Sequence, residues 1–301
     1  AGPYDLGIYG AVNNWFIRRR GFATAVVNLA QMAGLVAMPI IAQIAIIYSN
    51  WRGGWLAIGL TVLLVGFLPV WFFMIRRPED VGLQPDGDFS GPHDPNISKQ
   101  EPQQATEPTF NRKQAISTPA FWLLSIFTIL VYPVQAGVSL HQAPHLIECG
   151  IDPTVAATVV STFSCVSAIV GFSLGFWPSK FPLHIVLAAT GAALGTSALM
   201  MLDIASPIDA YVASAVFGLG IGGLLTTLPL AWANYFGRKN FGSIRGVALT
   251  MQVLAQASGP LISGVLRDLT GTYDLSLTFF SILAFCGATA GIVARPPKIR
   301  T

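Results

Sequence analysis

An all-α, polytopic membrane helix bundle is the fold this sequence predicts, with a partial N-terminal bundle followed by a complete six-helix C-terminal bundle. Three observations predict it: an apolar composition, apolar stretches of bilayer-spanning length, and basic residues gathered on alternate connections. Of the 301 residues, 53% are hydrophobic and 10% charged. A soluble domain carries about 25% charged residues and needs them to cover its surface. The composition therefore excludes an ordinary soluble enzyme, a disordered chain and a disulfide scaffold. The formal net charge of +3 is not gathered on one face, so no nucleic-acid partner is expected. Cys149, Cys165 and Cys286 lie far apart without C-x-x-C spacing, which supports neither a zinc site nor a disulfide framework. No metal and no other cofactor is expected.

A hydrocarbon core demands about 20 apolar residues in helical form, because an unpaired backbone group there costs several kcal/mol. An apolar stub, Gly7 to Ile17, comes first and reads as the last turns of a truncated span. Complete spans follow at roughly 21–48, 52–75, 119–142, 154–178, 182–203, 208–234, 246–268 and 274–294. Pro39, Pro69, Pro133, Pro229 and Pro260 fall inside them, where neighbouring helices can re-satisfy the freed carbonyls, so they predict bends. Between Arg76 and Lys113 the composition inverts: twelve of 38 residues are charged and six are proline, against eleven charges in the 176 residues from Pro119 to Ala294. That stretch cannot bury itself and reads as a solvated, largely flexible connector. The expected domains are a partial transmembrane bundle over 1–77, a cytoplasmic linker over 78–117 and a six-helix transmembrane bundle over 118–301. Nothing at the N-terminus reads as a signal peptide, and the chain reads as a fragment.

If the spans alternate in direction, fifteen of the 17 Lys and Arg fall on one side and only Arg52 and Arg267 on the other. Positive residues mark the cytoplasmic side, so the linker and the C-terminus are expected there, in a cytoplasmic membrane. Glu148, Asp152, Asp203, Asp209, Asp268 and Asp274 gather opposite.

The chain also matches itself at an offset of 225 positions. Gly21 falls on Gly246, Ala23 on Ala248, Leu29-Ala30-Gln31 on Leu254-Ala255-Gln256, and Gly34 on Gly259. Asn14-Trp15-Phe16 matches Asn234-Tyr235-Phe236 after a five-residue insertion. Both copies keep one topological sense, as parallel repeats of transporter halves do. Equivalence of the halves predicts three whole spans and part of a fourth ahead of Ala1, a twelve-helix parent.

Several stretches resemble the major facilitator superfamily, and within it the monocarboxylate and oxalate/formate porters. They are Trp15-Phe16-Ile17-Arg18-Arg19-Arg20-Gly21, Arg76-Arg77-Pro78-Glu79-Asp80-Val81-Gly82-Leu83, and His141-Gln142-Ala143-Pro144-His145-Leu146. In the last third they are Gly218 to Gly223, Tyr235-Phe236-Gly237-Arg238, Gly242 to Gly246, Gly259-Pro260, and Asp268 to Tyr273. The resemblance implies two six-helix bundles around a central cavity, alternating access, and a small organic anion moved with protons or by exchange. Those porters typically hold a carboxylate with Arg or Lys in the second and fifth C-terminal spans, whereas Val155 to Phe176 and Val247 to Leu266 contain no basic residue. The counterpart of the superfamily's loop signature, Gly175-Phe176-Trp177-Pro178-Ser179-Lys180, is degenerate.

Ionisable groups at membrane depth are costly and so are candidates for function. Asp5 lies twelve residues of helix above the turn at Arg18, about 18 to 20 Å of rise, and is either a proton carrier or a group that truncation exposes or that pairs with a missing helix. His141 and His145 share a helix face at a spacing that suits a metal, but no third ligand is evident. His141 is therefore a candidate proton relay or substrate contact, the alternative being an interfacial histidine. Gln31 and Gln256 are repeat equivalents; Asn28 shares a face with Gln31, and Gln252 with Gln256. Such amides bind a substrate or glue helices. Gly171, Gly175, Gly191, Gly195 and the run from Gly218 to Gly223 lack a following Lys-Ser/Thr and read as helix-packing positions, not phosphate loops. No catalytic constellation is evident. The expected function is a secondary active transporter of a small organic solute, a monocarboxylate first, coupled to protons or exchanging. The alternatives are a non-transporting membrane sensor or receptor, or an exporter of drugs or inorganic anions.

Overall fold

A computed structural model describes residues 2–17, 19–75, 77–87, 109–176 and 182–297. Among them every regular element is helical: α1 (Gly2–Trp15), α2 (Arg20–Tyr48), α3 (Trp51–Thr61), α4 (Leu68–Phe73), α5 (Arg112–Ile116), α6 (Pro119–Glu148), α7 (Pro153–Phe176), α8 (Leu183–Met200), α9 (Pro207–Phe236), α10 (Phe241–Thr270) and α11 (Asp274–Val293). Seven helices are long and apolar enough to cross a bilayer: the stretch Trp51–Phe73 and α6 to α11. The 29 residues of α2, charged only at Arg20, have the length for the eighth expected span. Near Pro69 the bend is a π-helical stretch, Val62–Phe67, that joins α3 to α4. A proline cannot continue the ordinary ladder, and a wider turn there reassigns the carbonyls ahead of it.

Local chemistry sets several helix starts. Asn50 accepts from the amides of Arg52 and Gly53, Ser206 and Asp209 form a capping box, and Asp152 accepts from Thr154 N at 2.8 Å. The helix starting at Asp274 follows Gly271, whose φ of 82° closes α10 in a conformation other residues resist.

Two boundaries differ from expectation. The span expected to end at residue 142 continues through Pro144 to Glu148 as part of α6. The span expected to begin at residue 246 begins at Phe241, which takes Arg245 out of the connecting turn and into α10. Both extensions have one cause: packed neighbours hold the extra turn, and sequence periodicity sees only the apolar run.

The connector is also more ordered at its ends than its composition suggests. Asp86, at φ 66°, accepts from the backbone amides of Ile17 (3.1 Å) and Arg19 (3.3 Å), placing a carboxylate at the positive start of α2. Asn240 donates to Phe110 O at 2.8 Å, and the Phe110 ring meets Phe236 edge-on at 5.7 Å. Residues 88–108 of the expected flexible linker lie outside the described residues.

In the C-terminal bundle α6 packs on α10 and α11, α7 on α9, and α8 on α9 and α11. Small residues permit these crossings: a Cβ on Gly222 would lie 2.5 Å from Ser167 O, and one on Gly259 would collide with the Pro133 carbonyl. The expected packing role of the glycine run is thereby observed. At the linker end Phe121, Trp232 and Phe236 form a fully buried aromatic knot, with Phe121 and Trp232 edge-to-face at 5.4 Å. Along Trp51–Phe73 a continuous apolar surface that includes Trp55 and Phe72 is exposed, as suits a span that faces lipid or a further helix.

Candidate functional site

The helices α1 and α2 run against α7, α9 and α10, and their seam gathers the polar contacts between the two halves of the chain. At the linker end α2 and α7 nearly touch, since a Cβ on Gly175 would collide with Ala25 and lie 2.8 Å from Gly21 O. Around this crossing Arg20, 4% exposed, donates through Nε to Phe16 O (3.1 Å) and through Nη1 to Asn234 Oδ1 (3.3 Å). In the opposite sense Arg238 donates to Asn14 O at 3.3 Å and lies 3.5 Å from the Glu79 carboxylate. Asn14 and Asn234 are counterparts in the repeat. An arginine of each half therefore reaches the asparagine of the other.

Deeper in the seam, Asn28 joins three helices. Its Oδ1 accepts from Tyr9 Oη at 3.0 Å, and its Nδ2 donates to Thr226 Oγ1 at 2.9 Å. All three residues are buried. Both ends of the amide are used, so its orientation is determined and the contact between α2 and α9 is specific.

Residues 1–260 match the family described as the Major Facilitator Superfamily. The chain belongs to that superfamily. It is accordingly a multi-pass membrane protein of a transporter family, not an enzyme. The chain is 25% identical over 292 residues to "Membrane sensor protein UhpC" of Salmonella typhimurium, covering 94% of this chain and 64% of that protein. It is 22% identical over 284 residues to "Monocarboxylate transporter 12" of Rattus norvegicus, covering 87% and 57%. A "Probable hexose phosphate transport protein" of Chlamydia muridarum is 24% identical over 198 residues, 59% of this chain and 42% of the relative. The chain thus spans 64% or less of the length of these relatives.

Within this facilitator chain the predicted residues separate. Of those whose side chains are described, Asn28 alone bridges the two halves. Gln31 is half-buried on the same helix and makes no hydrogen bond among the described residues. Its repeat equivalent Gln256 donates from Nε2 to Gln135 Oε1 at 3.2 Å, tying α10 to α6 within the C-terminal bundle. Gln252 accepts from Arg245 Nη2 at 2.5 Å, two turns earlier on α10. The paired faces expected of the amides therefore do not converge on one point. Asp5 lies on α1 with its side chain outside the described residues.

Val247 to Leu266 contain no basic residue, but the earlier start of α10 adds one to the fifth C-terminal span. Arg245 is only 4% exposed, and its guanidinium lies over the Trp232 ring at 5.6 Å while reaching Gln252. A cation thus serves the linker-side third of α10. Its repeat equivalent at an offset of 225 is Arg20, equally buried. That register was visible in the sequence, but both arginines read as parts of basic turns.

At the other end of α6, His141 lies over Tyr273 at 5.3 Å, and buried His145 meets the same ring edge-on at 5.8 Å. His145 Nε2 lies 2.7 Å from Met201 O; the carbonyl only accepts, so this nitrogen carries the proton. No cluster of three metal-ligating side chains is found among the described residues. Arg267, one of the two misplaced cations of the charge pattern, is paired at 2.7 Å with Glu148 and lies 3.7 Å from Asp268.

Proposed function

We propose that the full-length protein is a secondary active transporter that moves a small organic anion across the cytoplasmic membrane by alternating access. The carrying observation is the seam: reciprocal Arg20–Asn234 and Arg238–Asn14 contacts join two repeat-related halves at one end. Contacts of this kind form and break as units when one half rocks against the other. The proposed division is residues 1–77 as part of one bundle, 78–117 as a cytoplasmic linker and 118–301 as the second bundle. Charge bias supports the linker and C-terminus on the cytoplasmic side.

The proposed pathway residues are Asn28, Gln31, Gln252 and Gln256, with Asp5 and His141 as candidates for a coupling proton. The monocarboxylate and hexose phosphate relatives both support an anionic solute, and buried Arg245 suits that charge. Monocarboxylates remain the first substrate class to test. Uptake of labelled lactate or of a hexose phosphate into proteoliposomes is expected to follow an inward proton gradient and to collapse on adding a protonophore. Flux indifferent to the gradient would remove proton coupling and leave exchange.

A second reading has support from the sensor relative at 25% identity. It is a receptor on the same scaffold, and saturable binding without flux under every imposed gradient would establish it in place of transport.

A further inference from the structure

Where α6, α10 and α11 meet, a cavity of about 10 Å³ is lined by Gln142, His141, His145, Ser263, Tyr273 and Ser276 on its polar side. Val138, Leu277 and Phe280 form its apolar wall. Gln142 is 2% exposed, and neither its Nε2 nor its Oε1 has a hydrogen-bond partner; nor does the buried Nδ1 of His141. Ser263 donates to Ser276 Oγ at 3.2 Å, and Ser276 donates to Tyr273 O at 2.8 Å. Both serine protons are therefore spent, and the Ser263 oxygen is free to accept.

A buried amide with both ends unmade is rare, because each desolvated group costs free energy that nothing returns. A cavity of this size holds one water and nothing larger, and a buried water typically makes about three hydrogen bonds. We infer that a single water molecule binds here, accepting from Gln142 Nε2 and donating to Ser263 Oγ and His141 Nδ1, which pairs one of the two amide ends and the orphaned imidazole nitrogen. The α6–α10 contact itself provides a precedent. Gln142 and Ser263 each lie seven residues beyond Gln135 and Gln256, which already bond directly across the same two helices. Two turns on, along a pair of helices running in the same direction, the shorter serine leaves a gap, and water completes the second rung. The half-exposed His141 is thereby linked by hydrogen bonds to the interior of the bundle. This inference rests on the cavity and its donors and acceptors, not on the transport reading.

Infrared difference spectra of the full-length protein in lipid nanodiscs, recorded in H₂¹⁶O and H₂¹⁸O, test it. An isotope-sensitive O–H stretch of a single bound water is expected in the native protein. It is expected to be lost in Gln142→Leu, together with a fall of ~2–4 °C in the melting midpoint. A dry cavity predicts no such band in the native protein and, because leucine would replace an unsatisfied amide, a raised midpoint in Gln142→Leu. Should Gln142→Leu not fold, Ser263→Ala decides: loss of the band supports the site, and its retention overturns it.

Discussion

Asn28 shows how much one amide can set. Its two ends are committed to Tyr9 and Thr226, on different helices and on opposite sides of the seam. Replacing it with leucine keeps volume and removes both bonds. Interhelical hydrogen bonds in a membrane average about 0.6 kcal/mol, so the equilibrium between seam-closed and seam-open forms should move about threefold toward open. Double electron–electron resonance between spin labels on α2 and α9 measures that ratio, and distance distributions identical to the native ones would contradict the assignment. Cys149 offers a second test at the other end of α6. Partial burial of its thiol, reinforced by the carboxylates of Asp274 and Glu148, holds its pKa above the ordinary thiol range. Only the thiolate is alkylated. Maleimide labelling of Cys149 at pH 7 should therefore be slower than that of a free cysteine, and its rate should keep rising with pH after the free thiol has levelled off. Asp274→Asn should narrow the difference. A rate equal to that of the free thiol at neutral pH would show that neither burial nor the two acids act on it.

Among the elements, the α6–α10 crossing depends on one missing side chain. A Cβ on Gly259 would meet the Pro133 carbonyl, and a backbone oxygen cannot swing away as a side chain does. Gly259→Val should cost about 1–3 kcal/mol by overpacking and separate α6 from α10. A lowered melting midpoint in detergent, with the Gln135–Gln256 hydrogen bond broken, is the expected outcome; a native midpoint would show that the crossing relaxes freely. The sequence revealed this element, since apolar length is a local property, but marked Gly259 as the repeat counterpart of Gly34 and not as a packing position. It also placed Gln31 and Gln256 in equivalent positions. What it could not reveal is direction: Gln256 turns to Gln135, Gln252 turns back to Arg245, and Asn28 turns across the seam. Those choices depend on which neighbour lies opposite, and helical periodicity does not carry that. The Arg245 misreading has the same origin. A cation five residues after a turn reads as solvent-facing until a buried Trp232 face and a Gln252 oxygen are found within its reach.

At the scale of the whole molecule, the charge bias and the seam make one connected claim about which end is closed. The Arg20 and Arg238 contacts lie at the end that carries the linker, and Asp86 and Glu79 of the linker itself join them. Thr24, one turn into α2 from Arg20, is 2% exposed behind this closure. Removing both arginine contacts in Arg20→Gln/Arg238→Gln takes about 1.2 kcal/mol from the closed form if each is near the average interhelical bond, a roughly eightfold shift in population. With Cys149, Cys165 and Cys286 replaced by serine, a cysteine introduced by Thr24→Cys then reports on opening. When opening is fast relative to alkylation, its labelling rate follows the open population. That rate should rise about eightfold in the double variant, and it should do so with a membrane-impermeant reagent only from the face on which Lys239→Cys is also labelled. Asp203→Cys should be labelled from the opposite face. Acceleration from the Asp203 face would place the gate at the wrong end of the bundle, and an unchanged rate would mean that close packing of Gly21 and Ala25 on Gly175, not the arginines, holds the two halves together.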